Sequence, residues 1–319
     1  TGSIKVAIDA SSCLSSVAGA DQIASCGGEY VSLGASTTRT GEWTIVSGPA
    51  GGGEIFSDIT SPTSTFYSPN LGAYTLRWTT SCSTTDDVMV TFVLCNVVNF
   101  DGVDDHVNFK NNHNLNSGNF SIEVWIKPNA TNENTQTILS KHPSPTAADG
   151  YDLRLVNNLI SFHWNNNSIT ATHAIDTNRW YHVAVTFDGT NYNLYIDGIL
   201  EKTTAGVNPT ENSVDFILGA MSQNTYTPYN YYNGYADELR IWNTSLTVDQ
   251  VRQMMNQEIM NDGAGNVKGV IVPKNISGLS WTNLSGYYQM NRASDISNGY
   301  LVDKSGNTKN GKLKGIYIQ

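Results

Sequence analysis

Charged side chains are scarce in this chain: Asp, Glu, Lys and Arg make up 14% of its 319 residues, against about 25% in typical globular domains. Their balance is acidic, with a net charge of −10, and carboxylates are in excess both before and after residue 97. An acidic surface repels phosphate, which argues against nucleic acid or an anionic membrane as partner. Long apolar runs are also lacking, and no stretch approaches the roughly 18 apolar residues of a membrane-spanning helix.

Cysteine is confined to the beginning of the chain, at Cys13, Cys26, Cys82 and Cys95. The spacings lack the close pairs of a zinc site, so we expect disulfides and therefore an oxidising, extracellular setting. Four cysteines allow three pairings. The symmetric spacing favours a nested pattern, with Cys26–Cys82 inside Cys13–Cys95.

Helical periodicity is lacking in residues 1–97, where short apolar segments alternate with turns rich in Gly, Pro, Ser and Thr. This pattern predicts a small β-sandwich of about 100 residues. We expect Trp43 and Trp78 to lie in its core.

Residues 98–243 also predict an all-β structure, but with longer strands. In Phe120–Lys127 every second residue is apolar, as expected for a strand with one face in a core. Regularly spaced strands of this kind indicate a two-sheet jelly roll. A closing helix is predicted over 247–260, capped by Thr247 and Gln250, so the second domain covers 98–262. Residues 263–319 are expected to form a tail that packs on the jelly roll or leads to a further module.

A resemblance to known families strengthens both assignments. The first segment resembles a bacterial immunoglobulin-like or PKD-like repeat, in the residues 18–22 (AGADQ), 41–48 (GEWTIVSG), 62–66 (PTSTF), 74–79 (YTLRWT) and 86–92 (DDVMVTF). Such repeats occur in large surface proteins of gliding bacteria that use type IX secretion. The resemblance implies a spacer without chemistry of its own.

The second segment resembles the laminin-G-like, concanavalin-like family. The matching residues are 98–107 (VNFDGVDDHV), 120–128 (FSIEVWIKP), 179–189 (RWYHVAVTFDG), 194–198 (LYIDG) and 234–243 (GYADELRIWN). Because one fold hosts many functions, the resemblance predicts the jelly roll more firmly than the activity.

Catalytic residues are not evident in this pattern. Glycosidases of this fold place carboxylates at alternate positions of one strand, but Glu123 has no acidic partner at 121 or 125. Asp237 and Glu238 are adjacent, so their side chains point to opposite faces. The six histidines show no metal-binding spacing. We therefore expect a protein that is not an enzyme.

A calcium site is the metal site that we expect. The loop from Asp101 to Asp105 packs three carboxylates into five residues, and Gly102 allows close backbone approach. By resemblance to related jelly rolls, Asp101 and the Gly102 carbonyl would bind a structural calcium ion together with Asp237, and Asp105 or Asp104 would add a ligand. The alternative is a turn with solvated carboxylates.

Ligand-binding residues are predicted in two places. The first is a tyrosine-rich loop, since tyrosine favours binding loops, and it contains Tyr226, Tyr229, Tyr231, Tyr232 and Tyr235. The second is a strand with His163 and Trp164, either of which could be a platform for a sugar ring. The alternatives are that the tyrosines close the end of the sandwich and that one of the two strand residues lies in the core.

Together these features predict a fragment of a secreted adhesin at the cell surface. Its partners would be a polysaccharide, another glycan or a surface polymer, together with further modules of the same long chain, and gliding motility is the setting that the resemblance implies. A purely structural stalk segment is the alternative, and a polysaccharide-active enzyme is a further one.

Overall fold

The computed structural model describes residues 15–24, 30–36, 40–68, 70–92, 98–129, 135–143, 148–222, 228–291 and 295–316. The chain divides into two compact units, Thr1–Cys95 and Asn96–Gln319. Neither unit has, within those ranges, a helix long and apolar enough to cross a membrane.

The first unit is built from two small sheets. Its strands are β1 (Gln22–Ala24), β2 (Val31–Ser32), β3 (Gly41–Ser47), β4 (Ile55–Phe56), β5 (Thr65–Tyr67), β6 (Gly72–Thr80) and β7 (Thr85–Phe92). One sheet has the order β1-β7-β6-β3 and the other β2-β5-β4. Alternate residues of β6 are buried, as expected for a strand with one face in the core.

Two tryptophans fill the core of the first unit, as predicted. Trp43 and Trp78 are buried, with ring centroids 5.2 Å apart. Cys82 forms a disulfide bond. The other three predicted disulfide residues, Cys13, Cys26 and Cys95, lie outside the described residues, so the nested pairing stays a prediction.

The second unit is a larger all-β structure with one short α-helix among the residues described. Its strands are β8 (Val98–Asp101), β9 (His106–Asn108), β10 (Phe120–Pro128), β11 (Gln136–Lys141), β12 (Tyr151–Val156), β13 (Leu159–Trp164), β14 (Asn167–Thr170), β15 (Tyr181–Phe187), β16 (Asn191–Ile196), β17 (Ile199–Ala205), β18 (Ile217–Leu218), β19 (Asn233–Trp242), β20 (Ile259–Asn261), β21 (Asn266–Gly269), β22 (Asn275–Ser280), β23 (Leu284–Tyr288), β24 (Ile296–Ser297), β25 (Tyr300–Leu301) and β26 (Gly311–Lys314). The helix is α1 (Val248–Met254), and a 3-10 turn covers Trp281–Asn283.

Two large sheets enclose the main core of this unit. The seven-stranded sheet has the order β17-β16-β15-β10-β19-β23, with β8 also paired to β19. The nine-stranded sheet has the order β14-β13-β12-β11-β18-β9-β26-β25-β24. Apolar residues from both sheets, such as Ile122 and Val124 on β10 and Phe162 on β13, meet in one buried cluster. The predicted all-β jelly roll is therefore confirmed.

A smaller layer covers part of the outer face of the seven-stranded sheet. It consists of α1 and the three-stranded sheet β20-β21-β22. Val251 and Met254 of α1 and Val267 of β21 pack against Trp242 and Tyr287 of the large sheet. This second apolar core fixes the layer to the sandwich.

The predicted helix over 247–260 is too long. Its start is correct, because Thr247 and Gln250 form the expected capping box. Its end is wrong: α1 stops at Met254, and Ile259 is already in β20. The Arg240 guanidinium donates hydrogen bonds to the carbonyl oxygens of Met254 (3.1 Å) and Gln257 (2.6 Å), which satisfies acceptors at the end of the helix.

Residues 263–319 are more than the predicted tail. Within this segment β23 joins the seven-stranded sheet, and β24, β25 and β26 extend the nine-stranded sheet. Leu301 is buried in the main core. The segment therefore completes both sheets of the second unit.

Candidate functional site

A polar cluster lies on the outer face of the nine-stranded sheet. Because side chains alternate along a strand, Tyr151 and Leu153 of β12 enter the core, while Asp152 and Arg154 point to the opposite face. On the neighbouring β13, His163 lies directly opposite Asp152. The fold thus brings one carboxylate, one guanidinium and one imidazole together.

Asp152 is the centre of this cluster. Its carboxylate is buried and accepts two hydrogen bonds from Arg154, one of them from Nη2 at 2.6 Å. The Nδ1 atom of His142 lies 2.9 Å from Asp152 Oδ2. Movement of either side chain would leave a buried charge without its partner, which is costly in free energy. The charge-assisted hydrogen bonds therefore hold Asp152 and Arg154 in place.

Two half-buried side chains border the cluster. The Nε2 atom of His163 lies 2.9 Å from the Ser161 hydroxyl oxygen, and burial lowers the pKa of His163 to about 4. His163 is therefore uncharged at neutral pH. Burial raises the pKa of the Tyr229 phenol, which feels the charges of Arg154 and Asp152. His163 and Tyr229, predicted separately as ligand-binding residues, thus border the same Asp152–Arg154 pair.

The other predicted ligand-binding residues do not join this cluster. Trp164 points into the core, where its ring stacks on Tyr192 with centroids 3.9 Å apart, so the prediction of a surface platform is wrong for this residue. Tyr232 is also fully buried, with its ring beside Phe100, and it cannot contact a ligand. Tyr226 lies outside the described residues.

Tyr231 belongs to a different surface from Tyr229. Its ring centroid is 6.1 Å from that of His106. Burial and the charge of Asp104 raise the pKa of its phenol. The tyrosine-rich loop is therefore divided. Residues two apart would share a face in a regular strand, but Asn230 has φ +50° and turns the backbone between Tyr229 and Tyr231.

The predicted metal-binding loop does gather its carboxylates. Oxygens of Asp101, Asp104 and Asp105 lie within 4.8 Å of one another. Asp105 accepts a hydrogen bond from the backbone N–H of Asp101 (2.9 Å). Burial raises the pKa of Asp105, and the charges of Asp101 and Asp104 add to this shift. Gly102 has φ +81° and packs against Asn233, a conformation that favours glycine.

Asp237 does not belong to this loop, so that part of the predicted ligand set is wrong. Asp101 lies opposite Asn233 in the sheet, and Asp237 is four residues further along β19, or roughly 13 Å at the rise of a strand. Its carboxylate instead accepts hydrogen bonds from the backbone N–H groups of Met290 (3.1 Å) and Glu238 (2.7 Å). Burial raises the pKa of Asp237 to about 6.

The two glutamates considered for catalysis are buried. Arg240 Nη1 lies 3.3 Å from Glu123, and Nη2 of the same guanidinium is bonded to Glu238. Tyr287 donates a further hydrogen bond to Glu238 (2.9 Å). Because this network lies under α1 and binds its carbonyl groups, it attaches the helix to the sheet.

Sequence reasoning missed Asp152, Arg154 and His142. The sequence does contain part of the information that would locate them. Asp152 and Arg154 alternate with apolar residues in a predicted strand, and the next predicted strand contains His163. Only the register shows that Asp152 lies opposite His163. The position of His142 depends on the end of β11, which no local pattern defines.

The fold and the matches with known proteins agree. Residues 101–252 match the family described as the concanavalin A-like lectin/glucanases superfamily. The second unit therefore contains a concanavalin-like jelly-roll domain. Among curated proteins, none matches the chain.

Several solved structures that are similar to this chain have names that refer to carbohydrate. An inferred carbohydrate-binding protein from Bacteroides ovatus is 15% identical, with a TM-score of 0.51 over 96% of this chain and 97% of that one. The CBM40 of a Ruminococcus gnavus sialidase, bound to sialyllactose, is 14% identical (TM-score 0.39; 49% and 95% covered). Domain 4 of the arabinanase AbnA from Geobacillus stearothermophilus, with arabinotriose, is 21% identical (TM-score 0.34; 69% and 90% covered). At these identities, the likeness to the Bacteroides ovatus protein shows the fold.

Proposed function

We propose that this protein is a carbohydrate-binding protein without catalytic activity, which binds glycan at the polar cluster of the nine-stranded sheet. The observation that carries the proposal is the buried Asp152, which fixes Arg154 beside the half-exposed His163 and Tyr229. Sugar hydroxyls and ring oxygens require polar groups that are fixed before binding, since ordering them afterwards costs affinity.

The charges of the cluster indicate which glycans fit. The carboxylate of Asp152 offsets the guanidinium of Arg154, and His163 is neutral at pH 7 because of its lowered pKa. The cluster thus offers directed hydrogen bonds with little net charge. This favours an uncharged sugar over an anionic one, in a chain whose net charge is already −10.

The setting that we propose is extracellular. The disulfide of Cys82 is typical of oxidising compartments, and the resemblance of the first segment to spacer repeats fits a surface adhesin. In this proposal the first unit is a spacer and the second binds the polymer, as in an adhesin that grips polysaccharide during gliding.

We further propose a structural calcium ion at Asp101, Asp104 and Asp105. Hard carboxylate oxygens are the ligands that calcium prefers, and these three carboxylates lie close enough to share one ion. A divalent cation would also relieve the repulsion from Asp101 and Asp104, which adds to the effect of burial on the pKa of Asp105. Its role would be to stabilise the loop between β8 and β9.

Binding of the full chain to a panel of neutral and acidic oligosaccharides tests the proposed function. We expect a neutral ligand, bound about tenfold more weakly by Arg154→Lys and by His163→Ala, because each loses a directed hydrogen bond of about 1.4 kcal/mol. His173→Ala is the matched control, since His173 is an exposed histidine held by Glu201. If no oligosaccharide binds, or if the control weakens binding equally, the cluster is not a glycan site and a structural role gains support.

A further inference from the structure

A row of exposed polar and aromatic side chains crosses the other large sheet. On the outer face of the seven-stranded sheet, Lys127 of β10 lies opposite Tyr235 of β19, and Tyr235 lies opposite Asn99 of β8. Trp180 extends this line on the other side, because its neighbour Tyr181 pairs with Ile126. We call these four side chains the outer row: Trp180, Lys127, Tyr235 and Asn99.

The outer row lies beyond the layer that covers the rest of this face. Two residues before Lys127 on the same face, the Trp125 indole donates a hydrogen bond to the Met255 carbonyl oxygen (2.5 Å), just after α1. Trp180, Lys127 and Tyr235 are only half-buried, and Asn99 is exposed. The row is therefore open to solvent at the end of the sheet where β8 pairs with β19.

The row holds a cation beside two aromatic rings. The ring centroids of Trp180 and Tyr235 are 6.3 Å apart. The Nζ atom of Lys127 lies 4.4 Å from the Tyr235 centroid and 5.8 Å from that of Trp180. Cation–π attraction can hold an ammonium in such a position without a carboxylate. Lys127 thus presents its charge at the surface rather than in an ion pair with any residue that the structure describes.

Planar amides continue the row. Asn129 Nδ2 donates a hydrogen bond to Asn99 Oδ1 (3.3 Å), which orients both amides beside Tyr235. Aromatic rings that pack on the carbon–hydrogen face of a sugar, together with amides for its hydroxyls, form a surface suited to a saccharide. Lys127, Tyr235 and Asn99 come from adjacent strands, and Trp180 directly precedes the next strand, β15. Because neighbouring strands are about 4.8 Å apart, the row spans roughly 14 Å. That length accommodates more than one sugar ring.

We propose that the outer row is a second glycan-binding site, and that it takes sugars that carry a carboxylate, such as hexuronates. Lys127 would pair with the carboxylate, Trp180 and Tyr235 would contact the ring, and the amides of Asn99 and Asn129 would bind hydroxyls. This site goes beyond the proposed function, because it lies on the opposite sheet and differs in charge from the Asp152 cluster. Two sites on opposite sides of one sandwich allow the protein to hold two polymer chains together.

The test uses the full chain and two matched probes: a galacturonic acid trisaccharide, and the same trisaccharide with its carboxyl groups reduced to alcohols. We expect the acidic probe to bind more tightly, and Lys127→Met to weaken its binding about tenfold while leaving the reduced probe unaffected. Higher salt should lower the affinity for the acidic probe in the parent chain and not in Lys127→Met. Trp180→Phe should lower the affinity for both probes, because both would contact this ring.

A second lysine–tyrosine pair provides the control. Lys312 Nζ lies 5.8 Å from the ring centroid of the exposed Tyr300, on the nine-stranded sheet. Lys312→Met therefore removes a similar cation from a different surface and should leave the affinity for both probes unchanged. The inference is overturned if the acidic probe does not bind, if Lys127→Met leaves its affinity unchanged, or if Lys312→Met weakens it equally. Arg154→Lys separates the two sites: it should weaken a neutral ligand of the Asp152 cluster and leave the acidic probe unaffected.

Discussion

At the scale of single residues, burial changes the chemistry of several ionisable groups. His163 and Asp237 show the two directions: burial disfavours the charged form, so the pKa of the imidazole falls to about 4 and that of the carboxyl rises to about 6. His163 can thus donate or accept hydrogen bonds without carrying charge near neutral pH. Asp237 instead makes the stability of the fold depend on pH.

The pH dependence follows from the sign of the Asp237 shift. In the unfolded chain an aspartate loses its proton near pH 4, whereas in the folded chain it does so near pH 6. Between these values the folded state binds more protons, so the free energy of unfolding falls as pH rises. Asp237 alone should account for a loss of about 2 kcal/mol between pH 4 and pH 7, and the buried Glu238, whose pKa burial raises to about 7, should add to it. Chemical denaturation measures the loss.

Asp237→Asn tests this assignment. The amide oxygen can still accept hydrogen bonds from Met290 and Glu238 but carries no charge. The variant should be about 2 kcal/mol more stable than the parent at pH 7.5, with a flatter pH profile. Asp188→Asn is the control, because the pKa of the exposed Asp188 is lowered by backbone hydrogen bonds, so its loss should not flatten the profile in this range. An unchanged profile in Asp237→Asn would show that another group titrates.

At the scale of elements, the local sequence predicted where the helix α1 begins but not where it ends. The start of α1 is set by the side chains of Thr247 and Gln250, which lie next to it in sequence. Its end depends on Arg240, a residue of β19 that binds the carbonyl oxygens of Met254 and Gln257. The sequence around residue 255 contains no sign of this partner.

Removal of the helix cap has a predictable cost. Thr247→Ala deletes the oxygen that accepts a hydrogen bond from the Gln250 N–H (3.2 Å), and we expect a loss of about 1 kcal/mol in the stability of the second unit. Thr190→Ala is the matched control, since Thr190 lies in an exposed turn. Urea denaturation followed by fluorescence compares the two. Equal losses would mean that the cap contributes nothing specific.

At the scale of the whole second unit, the carboxylate loop joins distant parts of the chain. Gly315, after the last strand, packs so closely against Asp105 that an added Cβ would lie 2.5 Å from its Oδ1 atom. The proposed calcium ion would therefore sit where the beginning and the end of the unit meet. Binding at such a position should raise the melting temperature of the unit through mass action.

Thermal unfolding with calcium and with a chelator measures this effect. We expect calcium to raise the melting temperature of the parent chain by several degrees, since roughly 2–3 kcal/mol of binding free energy is available at a hundredfold excess over the dissociation constant. Asp101→Asn and Asp105→Asn should abolish the increase, and Asp188→Asn should retain it. The proposal fails if the chelator has no effect on the parent.

Much of this protein follows from the sequence itself, because its determinants are local. Alternation of apolar residues, as in Phe120–Lys127, predicts a strand with one apolar face, and that face lies in the main core. Trp43 and Trp78 lie in apolar strand segments and are buried as predicted. Three aspartates within five residues lie close together in any compact loop, as Asp101, Asp104 and Asp105 do.

Only the tertiary structure decided which surfaces could bind a ligand. Alternate side chains of β13 point to opposite faces, and the structure places Trp164 in the core and His163 outside. The pairing of β12 with β13 places Asp152 opposite His163. The pairing of β8 with β19 separated Asp237 from Asp101 and aligned Tyr235 with Lys127. A shift of one residue in either register exchanges the buried and exposed faces of a strand. The sites therefore depend on contacts between residues far apart in sequence, which composition and local pattern do not specify.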